Sequence, residues 1–412
     1  MKVLQITTSS KGGAGIAALR LHNALRAYGV ASAYLSKDLT IDFHGNHIAD
    51  EFFAYQKPSI FQKVFRKIEH KFFPSAEQKV QKQLQKLKED LTYEMLSTPY
   101  SSYPLEKHPL VQEATIVNLH MVSGILAYKR FFSIVQKPMV WTLHDMNPFS
   151  GLFHYQGDTD QNSNVFSEIE HQIRAYKKQC IQKSSLKAVV GPSQWMTDLA
   201  IQSNVFKSET TFKTIANSID KESIDVSGLH KLKTNLGIAD DRLVLLFIAH
   251  DVNSPRKGMD VLVDALHRID ALPITLLVVG KGSVVVPKEN IKTVSLGVIY
   301  DPHKMQELYT LADAFLLPSR EDNLPNVMLE SFMVGTPVLS FKIGGMATHI
   351  QEGITGMLAP DITAERFANT IEDFAKQHSQ YDSEVIKAYA KTHFSPKLQA
   401  EGYTELYKTI LV

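Results

Sequence analysis

An α/β fold class with two doubly wound parallel-sheet domains is predicted by three features of this 412-residue chain. Short apolar segments of strand character alternate with segments of helical periodicity, an order typical of parallel βαβ units. The alternation occurs in two series, and the apolar segments of the second series are nearly continuous, as expected for strands buried on both faces. A polar and charged segment, residues 220–241, separates the two series and is predicted to be an interdomain linker.

The predicted strands fall into these two series in chain order. The first series comprises residues 3–7, 32–35, 116–119, 139–143, 186–190 and 212–215. The second series comprises residues 243–249, 274–279, 293–296, 314–317 and 337–341. Each series is expected to form one Rossmann-like sheet, and the carboxyl ends of the two sheets are expected to face a cleft where ligands bind.

The domain boundaries follow from this organisation. Residues 1–222 form the first predicted domain, with a helical insertion at about 56–98, and residues 223–395 form the second. A final helix, within residues 396–412, is expected to return to the first domain. The length agrees with two domains, because 412 residues are more than one hydrophobic core usually serves.

The composition is that of an ordinary globular protein and argues against several other classes. A net charge of +1 offers no electrostatic reason to expect a nucleic-acid partner. Cys180 is the only cysteine, so no intrachain disulfide forms and a reducing compartment is favoured. Polar residues interrupt the N-terminal apolar run, and no apolar run approaches the ~18–20 residues that span a bilayer. We therefore expect a cytoplasmic protein.

Residues 61–71, from Phe61 to Lys71, interrupt the alternation of strands and helices. Apolar residues recur there at helical spacing, and lysine and arginine residues occupy the other faces. One interpretation is an inserted helical hairpin that packs on the first domain. The other is a peripheral contact with anionic lipid on the inner face of the membrane.

A glycine-rich loop follows the first predicted strand. Residues 13–18, GAGIAA, fit the relaxed dinucleotide-binding fingerprint in its required strand–loop–helix context. NAD binding also requires an acidic residue at the end of the second strand, where this chain has Ser36 and Lys37 and only then Asp38. This displacement argues against an NAD-dependent dehydrogenase.

The strongest candidate site lies in residues 318–345, PSREDNLPNVMLESFMVGTPVLSFKIGG. A polar loop follows a buried strand, and a helix is predicted to begin near Pro325 with Asn323 as its N-cap. The free backbone N–H groups at such a helix start, together with the helix dipole, provide a binding site for phosphate. The residues that flank this start, and are therefore candidates for binding a nucleotide, are Asn323, Leu324 and Asn326.

Two carboxylates in the same segment are candidates for binding hydroxyl groups. Glu330 follows Asp322 by eight residues, which is roughly two helical turns. Carboxylates so placed can hydrogen-bond hydroxyl groups at both ends of a bound nucleotide-sugar. The alternative interpretation is an N-capping acid followed by a solvent-facing glutamate.

Two further segments place basic or imidazole side chains after predicted strands. HDVNSPRKGMDVLVDAL, residues 250–266, carries two adjacent basic residues, Arg256 and Lys257, in the turn between a strand and a helix. Taken alone, this pair is interpreted as a solvated turn. WTLHDMNPFSG, residues 141–151, places His144 at the carboxyl end of a buried strand, where either a structural or a functional histidine is expected.

Together these segments resemble the family-4 retaining glycosyltransferases of the GT-B fold, including a subgroup of capsule and exopolysaccharide glycosyltransferases with EDNLPN in this loop. The family carries E-x7-E followed by a GxPV strand. Here Asp322 and Glu330 keep that spacing, with aspartate in place of the first glutamate, and GTPV follows at residues 335–338. The resemblance covers nearly all of the chain apart from the insertion.

The resemblance implies roles for individual residues. Asp322 would contact the transferred sugar, Lys257 the donor diphosphate, and His144 would lie beside the donor sugar; these three are the implied catalytic residues. Glu330 would hold the ribose of the nucleotide. The implied donor-binding residues are Gly13, Arg256, Lys257, Asn323, Leu324, Asn326 and Glu330.

The function implied is that of a retaining, metal-independent glycosyltransferase in surface polysaccharide biosynthesis. It would move a sugar from a UDP- or GDP-linked donor to a saccharide or lipid-linked saccharide acceptor, without a further cofactor. No metal site is predicted, because Asp158 and Asp160 lie in a polar segment interpreted as a solvated turn. The alternatives are a GT-B sugar-nucleotide epimerase or phosphorylase, and a non-catalytic pseudo-transferase that binds a nucleotide-sugar.

Overall fold

The computed structural model describes residues 1–49, 52–53, 76–87, 91, 95–220 and 228–412. The chain separates into two compact units. The first unit comprises Met1–Gly191, Thr197–Lys213 and Thr404–Val412, and the second comprises Pro192–Met196 and Thr214–Tyr403. The predicted boundary between residues 222 and 223 lies outside the described residues, as do residues 61–71 and most of the predicted insertion.

The first unit is built on a seven-stranded sheet of order β3-β2-β1-β4-β5-β6-β7. Its strands are β1 (Lys2–Ile6), β2 (Ala31–Leu35), β3 (Thr40–Ile41), β4 (Ile116–Leu119), β5 (Met139–Thr142), β6 (Leu186–Gly191) and β7 (Thr211–Thr214). The pairs β1–β2, β1–β4, β4–β5 and β5–β6 are parallel, and β3 pairs antiparallel with β2.

The second unit contains a six-stranded sheet of order β10-β9-β8-β11-β12-β13. Its strands are β8 (Leu243–Asp251), β9 (Ile274–Lys281), β10 (Ile291–Gly297), β11 (Ala314–Leu317), β12 (Val338–Phe341) and β13 (Gly356–Ala359). Every neighbouring pair in this sheet is parallel.

Helices connect the strands in both units. Those of the described residues up to β7 are α1 (Gly12–Ala27), α2 (Ala76–Leu87), α3 (Pro109–Glu113), α4 (Tyr128–Ile134), α5 (Gln156–Gln161), α6 (Ser163–Gln182) and α7 (Gln194–Gln202). Those that follow are α8 (Leu229–Asn235), α9 (Met259–His267), α10 (Pro302–Leu311), α11 (Asn326–Val334), α12 (Met346–His349), α13 (Ala364–Gln377), α14 (Ser383–His393) and α15 (Pro396–Thr409). Among the described residues, no helix is both long enough and apolar enough to cross a bilayer.

The predicted α/β fold class is confirmed, and each predicted strand coincides with an observed one within a few residues. Two short strands, β3 and β13, are absent from the prediction. Strand β13 begins at Gly356, a residue type that is depleted in strands. A Cβ atom on Gly356 would lie 1.8 Å from the carbonyl oxygen of Val338, so the pairing with β12 requires a glycine there.

Strand β8 explains why the apolar segments of the second series are continuous. Leu245 and Phe247 lie in the hydrophobic cluster on one face of the sheet, and Val244 and Leu246 lie in the cluster on the other. Successive side chains of a strand point to opposite faces, so a strand covered on both sides requires apolar residues at every position.

The order of the strands determines where a ligand site is expected in each sheet. The connections change direction between β1 and β4 in the first sheet and between β8 and β11 in the second. Ligands of open α/β sheets bind outside the carboxyl ends of the strands at such a switch point. The relevant loops are therefore those that follow β1 and β4 in the first unit, and those that follow β8 and β11 in the second.

Candidate functional site

The site in the second unit begins in the turn that follows β8. Pro255–Lys257 form one turn of 3-10 helix, and Gly258 then adopts a φ of +72° before α9 begins. A Cβ atom on Gly258 would lie 1.9 Å from the carbonyl oxygen of Pro318, the first residue after β11. Glycine is therefore required here both by the backbone conformation and by the contact between the two loops.

We expect Gly258→Ala to destabilise the protein by about 3 kcal/mol or more, since the added methyl group meets a backbone atom and the φ is strained. Gly297→Ala is the matched control, because Gly297 has a φ of +66° but no atom within 4 Å of its Cβ position. Strain alone predicts a loss of about 1–2 kcal/mol for that variant. Denaturant unfolding of both variants measures the difference, and equal losses would contradict the close contact.

Asp322 joins this basic turn to the loop after β11. Its carboxylate lies 2.6 Å from the Lys257 Nζ atom and 3.3 Å from Arg256 Nη1, and these side chains are only 12–18% exposed. Burial by itself would raise the pKa of Asp322, but the Lys257 ammonium and the Arg256 guanidinium outweigh it and lower the pKa below its ordinary value. Asp322 is therefore an ionised carboxylate that neutralises part of the charge of two cations.

Arg320 holds the basic turn against the same loop. Its guanidinium binds the Asp260 carboxylate through two hydrogen bonds of 2.8 and 2.6 Å and also donates to the carbonyl oxygen of Pro255. The backbone N–H of Arg320 donates to the carbonyl oxygen of Arg256 at 2.7 Å. Arg320 and Asp260 were not among the residues predicted from the sequence, since complementary charge is the only signal and it does not identify partners 60 residues apart.

A pair of glycines after β12 completes the surroundings of Asp322. A Cβ atom on Gly344, whose φ is +56°, would lie 2.3 Å from the carbonyl oxygen of Asp322. A Cβ atom on Gly345 would lie 1.8 Å from the carbonyl oxygen of Asn323, and the Gly345 N–H donates to the Asp322 carbonyl oxygen at 3.3 Å. The loops that follow β8, β11 and β12 therefore meet at Asp322.

The predicted N-cap is wrong. Helix α11 begins at Asn326, and Pro325 in an extended conformation occupies the cap position without a side-chain hydrogen bond. Asn323 precedes the cap and is 5% exposed, while its backbone N–H donates to the Asp322 carboxylate at 3.1 Å. The alternative of Asp322 as an N-capping acid is also wrong, because its carboxylate binds Lys257 instead.

The remaining predicted residues of this segment lie on or beside α11. Leu324 is 5% exposed, and its side chain belongs to the hydrophobic core, so only its backbone is available to a ligand. Asn326 is the first residue of α11 and is partly buried. Glu330 is also partly buried, and its Oε2 atom accepts a hydrogen bond of 3.2 Å from the Tyr309 hydroxyl.

The predicted glycine-rich loop is not a loop in the structure, because residues 13–18 lie within α1 and Gly13 is at its second position. The loop between β1 and α1, residues 7–11, is held by Asp38. The Asp38 carboxylate accepts hydrogen bonds from the Ser10 backbone N–H at 2.7 Å, from the Ser9 and Ser10 hydroxyls at 3.1 and 3.0 Å, and from the Ser36 hydroxyl at 2.8 Å. These bonds lower the pKa of Asp38 although burial opposes them. An acid engaged in this way holds the loop rather than the ribose of a dinucleotide, which agrees with the argument against an NAD enzyme.

His144 follows β5 and stacks against His120, which follows β4. Their rings are 5.2 Å apart, and His120 Nδ1 lies 2.9 Å from His144 Nε2. His144 is partly exposed and lines a small pocket of the first unit together with Ser123, Tyr128 and other residues. Burial lowers the pKa of both rings, that of His144 to about 4, so His144 is neutral at pH 7.

The segment containing Asp158 and Asp160 is not a turn but the short helix α5. Asp158 lies in its first turn, and Asp160 accepts a hydrogen bond of 2.7 Å from Gln156. In the part of the chain that the structure describes, no cluster of three or more histidine, cysteine or acidic side chains is arranged to hold a metal ion.

Comparison with known proteins agrees with this architecture. Residues 242–377, within the second unit, match the family described as Glycosyl transferases group 1. The D-inositol 3-phosphate glycosyltransferase of Rhodococcus erythropolis is 24% identical over 294 residues, which are 67% of this chain and 63% of that relative. The chain therefore spans less than two thirds of that relative's length.

Two other proteins are similar over a larger share of their length. An uncharacterized 41.2 kDa protein in the cps region of Klebsiella pneumoniae is 20% identical over 301 residues, 71% of this chain and 78% of that protein. The crystal structure of Anabaena Alr3699/HepE in complex with UDP-glucose has a TM-score of 0.64 at 18% identity, covering 99% of this chain and 100% of that one. The fold is GT-B, the glycosyltransferase fold with two Rossmann-like parallel sheets. Lys257, Asp322 and Glu330 all lie in the segment, residues 242–377, that matches the group 1 glycosyl transferase family.

Proposed function

We propose that this protein is a retaining, metal-independent glycosyltransferase that transfers a sugar from a nucleotide-diphosphate sugar to a saccharide or lipid-linked saccharide acceptor. The observation that carries the proposal is the contact of Lys257 and Arg256 with Asp322 at the switch point of the second sheet. Two cations and a carboxylate at this point are the groups that a diphosphate and a sugar hydroxyl require. The matching family segment includes all three residues.

The chemistry follows from the charges of this cluster. A donor diphosphate would compete with Asp322 for the Lys257 ammonium and the Arg256 guanidinium, and would release the carboxylate to accept hydrogen bonds from sugar hydroxyls. As the glycosidic bond breaks, charge grows on the leaving diphosphate, and the two cations stabilise it most in the transition state. The acceptor hydroxyl would attack on the face that the leaving group occupies. Glu330 is proposed to hold the ribose, and His144 to contact a saccharide.

The printed names of similar proteins support the donor and the biological role. Alr3699/HepE has been crystallised with UDP and with UDP-glucose, which supports a UDP-linked sugar ahead of a GDP-linked one. The Klebsiella protein belongs to a cps region, which supports a role in surface polysaccharide biosynthesis. The proposal includes a cytoplasmic location with a peripheral membrane contact through residues 61–71.

A thermal-shift series tests the donor directly, because a ligand stabilises only the state that binds it. At a concentration of 100 times its dissociation constant, the correct nucleotide-sugar contributes about 2.7 kcal/mol. For a domain of this size we expect Tm to rise by about 5 °C or more with a UDP-sugar, and less with the matching GDP- and ADP-sugars. A Tm that responds to no nucleotide-sugar would contradict the proposed function.

A non-catalytic nucleotide-sugar-binding protein is the second candidate. The observation that favours it is that the carboxylate proposed to contact the sugar is itself paired with Lys257 and Arg256. Slow release of free sugar from the stabilising donor would identify an active centre and exclude this candidate. Analysis of the product then separates transfer from epimerisation and phosphorolysis.

A further inference from the structure

A chain of buried polar side chains lies behind His144 in the first unit. It runs across the adjacent strands β4 and β1 and includes Asn118 and Gln5, both 0% exposed, and His120, 3% exposed. Asn118 Nδ2 donates to Gln5 Oε1 at 2.9 Å, and His120 Nε2 lies 2.9 Å from the same oxygen. His120 Nδ1 lies 2.9 Å from His144 Nε2, so the chain ends at the pocket that His144 lines.

The orientation of the two amide groups in the structure places each proton. Asn118 Oδ1 accepts from the Thr142 hydroxyl at 3.1 Å, and the amide nitrogen of Asn118 faces Gln5 Oε1. A carbonyl oxygen only accepts hydrogen bonds, so His120 Nε2 must carry the proton that it donates to Gln5. His120 Nδ1 is then the acceptor in a neutral ring, and His144 Nε2 must donate to it. His144 consequently carries its lone pair on Nδ1.

We infer that Gln5 and His120 are positioning residues that hold His144 in the Nε2–H tautomer, so that its Nδ1 atom accepts a hydrogen bond from a saccharide hydroxyl. The role of His144 toward a saccharide rests on the proposed function, but its tautomer does not. The backbone of His120 is held as well, since the Trp141 indole N–H donates to the carbonyl oxygen of His120 at 3.1 Å.

The burial of these polar side chains supports their role in positioning His144. Buried polar side chains in the centre of a sheet are costly, and apolar residues of similar shape would serve the core as well. Gln5 Oε1 and both His120 ring nitrogens have partners here, although Gln5 Nε2 is buried without one among the described residues. The chain also keeps His144 from rotating, because the ring is stacked on His120 and bonded to it. A neutral ring with one fixed tautomer presents a lone pair without a charge, which suits a hydroxyl group and not a phosphate.

The test is Gln5→Glu in the full-length protein. A carboxylate at this position favours a protonated His120, whose Nδ1–H would donate to His144 Nε2 and move the proton of His144 to Nδ1. In protein with ¹⁵N-labelled histidine, two-bond ¹H–¹⁵N correlation spectra identify the tautomer of His144. We expect the Nε2–H pattern in the native protein, the Nδ1–H pattern in Gln5→Glu, and kcat for sugar transfer reduced about tenfold or more.

Two further variants keep the test decisive. Gln5→Met removes the hydrogen-bond acceptor at similar volume and serves as the test if Gln5→Glu does not fold. We expect it to give a mixture of His144 tautomers and an intermediate kcat. Ser32→Ala is the matched control, because the Ser32 hydroxyl lies 3.0 Å from His22 Nδ1 in the same unit and is equally buried. It is expected to change neither the His144 spectrum nor kcat.

The inference and the proposed function fail in different ways. An Nδ1–H pattern in the native protein would overturn the inference whether or not the protein transfers sugar. So would a His144 pattern that stays native in both Gln5→Glu and Gln5→Met. A changed tautomer with native kcat would overturn the role of His144 toward the saccharide. A native protein that transfers no sugar from any donor contradicts the proposed function and leaves the spectra to decide the tautomer.

Discussion

Asp322→Asn is expected to lower kcat for sugar transfer by about 100-fold or more while the affinity for the bare nucleoside diphosphate stays the same or increases. The amide keeps the shape of the side chain but loses its negative charge. That charge would interact most strongly with the sugar in the transition state, where the sugar becomes cation-like. The amide also frees Lys257 and Arg256, whose charges Asp322 partly neutralises at 2.6 and 3.3 Å. We therefore expect kcat to fall while the affinity for the nucleoside diphosphate does not.

Steady-state kinetics and calorimetry with the bare nucleotide separate these two effects. Asp322→Glu introduces the glutamate found in the family that this chain resembles. It is expected to alter the choice of sugar, because a shift of about 1 Å in a positioned group can lower the rate ~100-fold. Glu330→Gln is the contrasting variant, since it is expected to weaken nucleotide binding first. Native turnover in Asp322→Asn would mean that the carboxylate only balances the charge of its neighbours.

Lys257→Ala has the second large expected effect, which is a loss of donor affinity. A charge-assisted hydrogen bond contributes about 1.5–3 kcal/mol, so the dissociation constant for the nucleoside diphosphate should rise about 10- to 150-fold. The affinity for the acceptor should hardly change. Removing the ammonium also removes the main attraction that holds the pKa of Asp322 down, which leaves Arg256 as its remaining cation.

Lys288→Ala is a suitable control for Lys257→Ala. Lys288 belongs to the same unit and binds an aspartate, Asp270, at the same kind of distance, 2.7 Å. It precedes β10, and therefore lies at the amino edge of the sheet, away from the switch point. Calorimetry that finds equal nucleotide affinity in Lys257→Ala and Lys288→Ala would remove Lys257 from the site.

The sequence was informative about the fold because burial leaves a local pattern. In β8, Val244, Leu245, Leu246 and Phe247 are apolar at successive positions, and a strand covered on both faces requires this of any chain. Strand β13 was not predicted because it begins with Gly356, a residue type that is depleted in strands. Glycine is required there because the backbone of β12 lies so close to it. Local pattern could not reveal that approach.

The error at Asn323 has a similar origin. Its residue type favours an N-cap and Pro325 favours the first helical turn, so local preference placed the cap at residue 323. In the structure the backbone of the loop is instead held by Gly345, whose N–H binds the carbonyl oxygen of Asp322, and α11 begins only at Asn326. Contacts between loops outweighed the preference of a single side chain.

The sequence by itself determined the α/β class and the order of the strands along the chain, and it supplied acidic, basic and imidazole residues as candidates for a ligand site. Only the tertiary structure decided which side chains are in contact. Lys257 binds Asp322, which is 65 residues away along the chain, and Gln5 binds His120, which is 115 residues away. The physical reason is the parallel pairing of β8 with β11 and of β1 with β4. Pairing brings the carboxyl ends of distant strands to one edge of a sheet, and no spacing along the chain specifies which side chains will then be in contact.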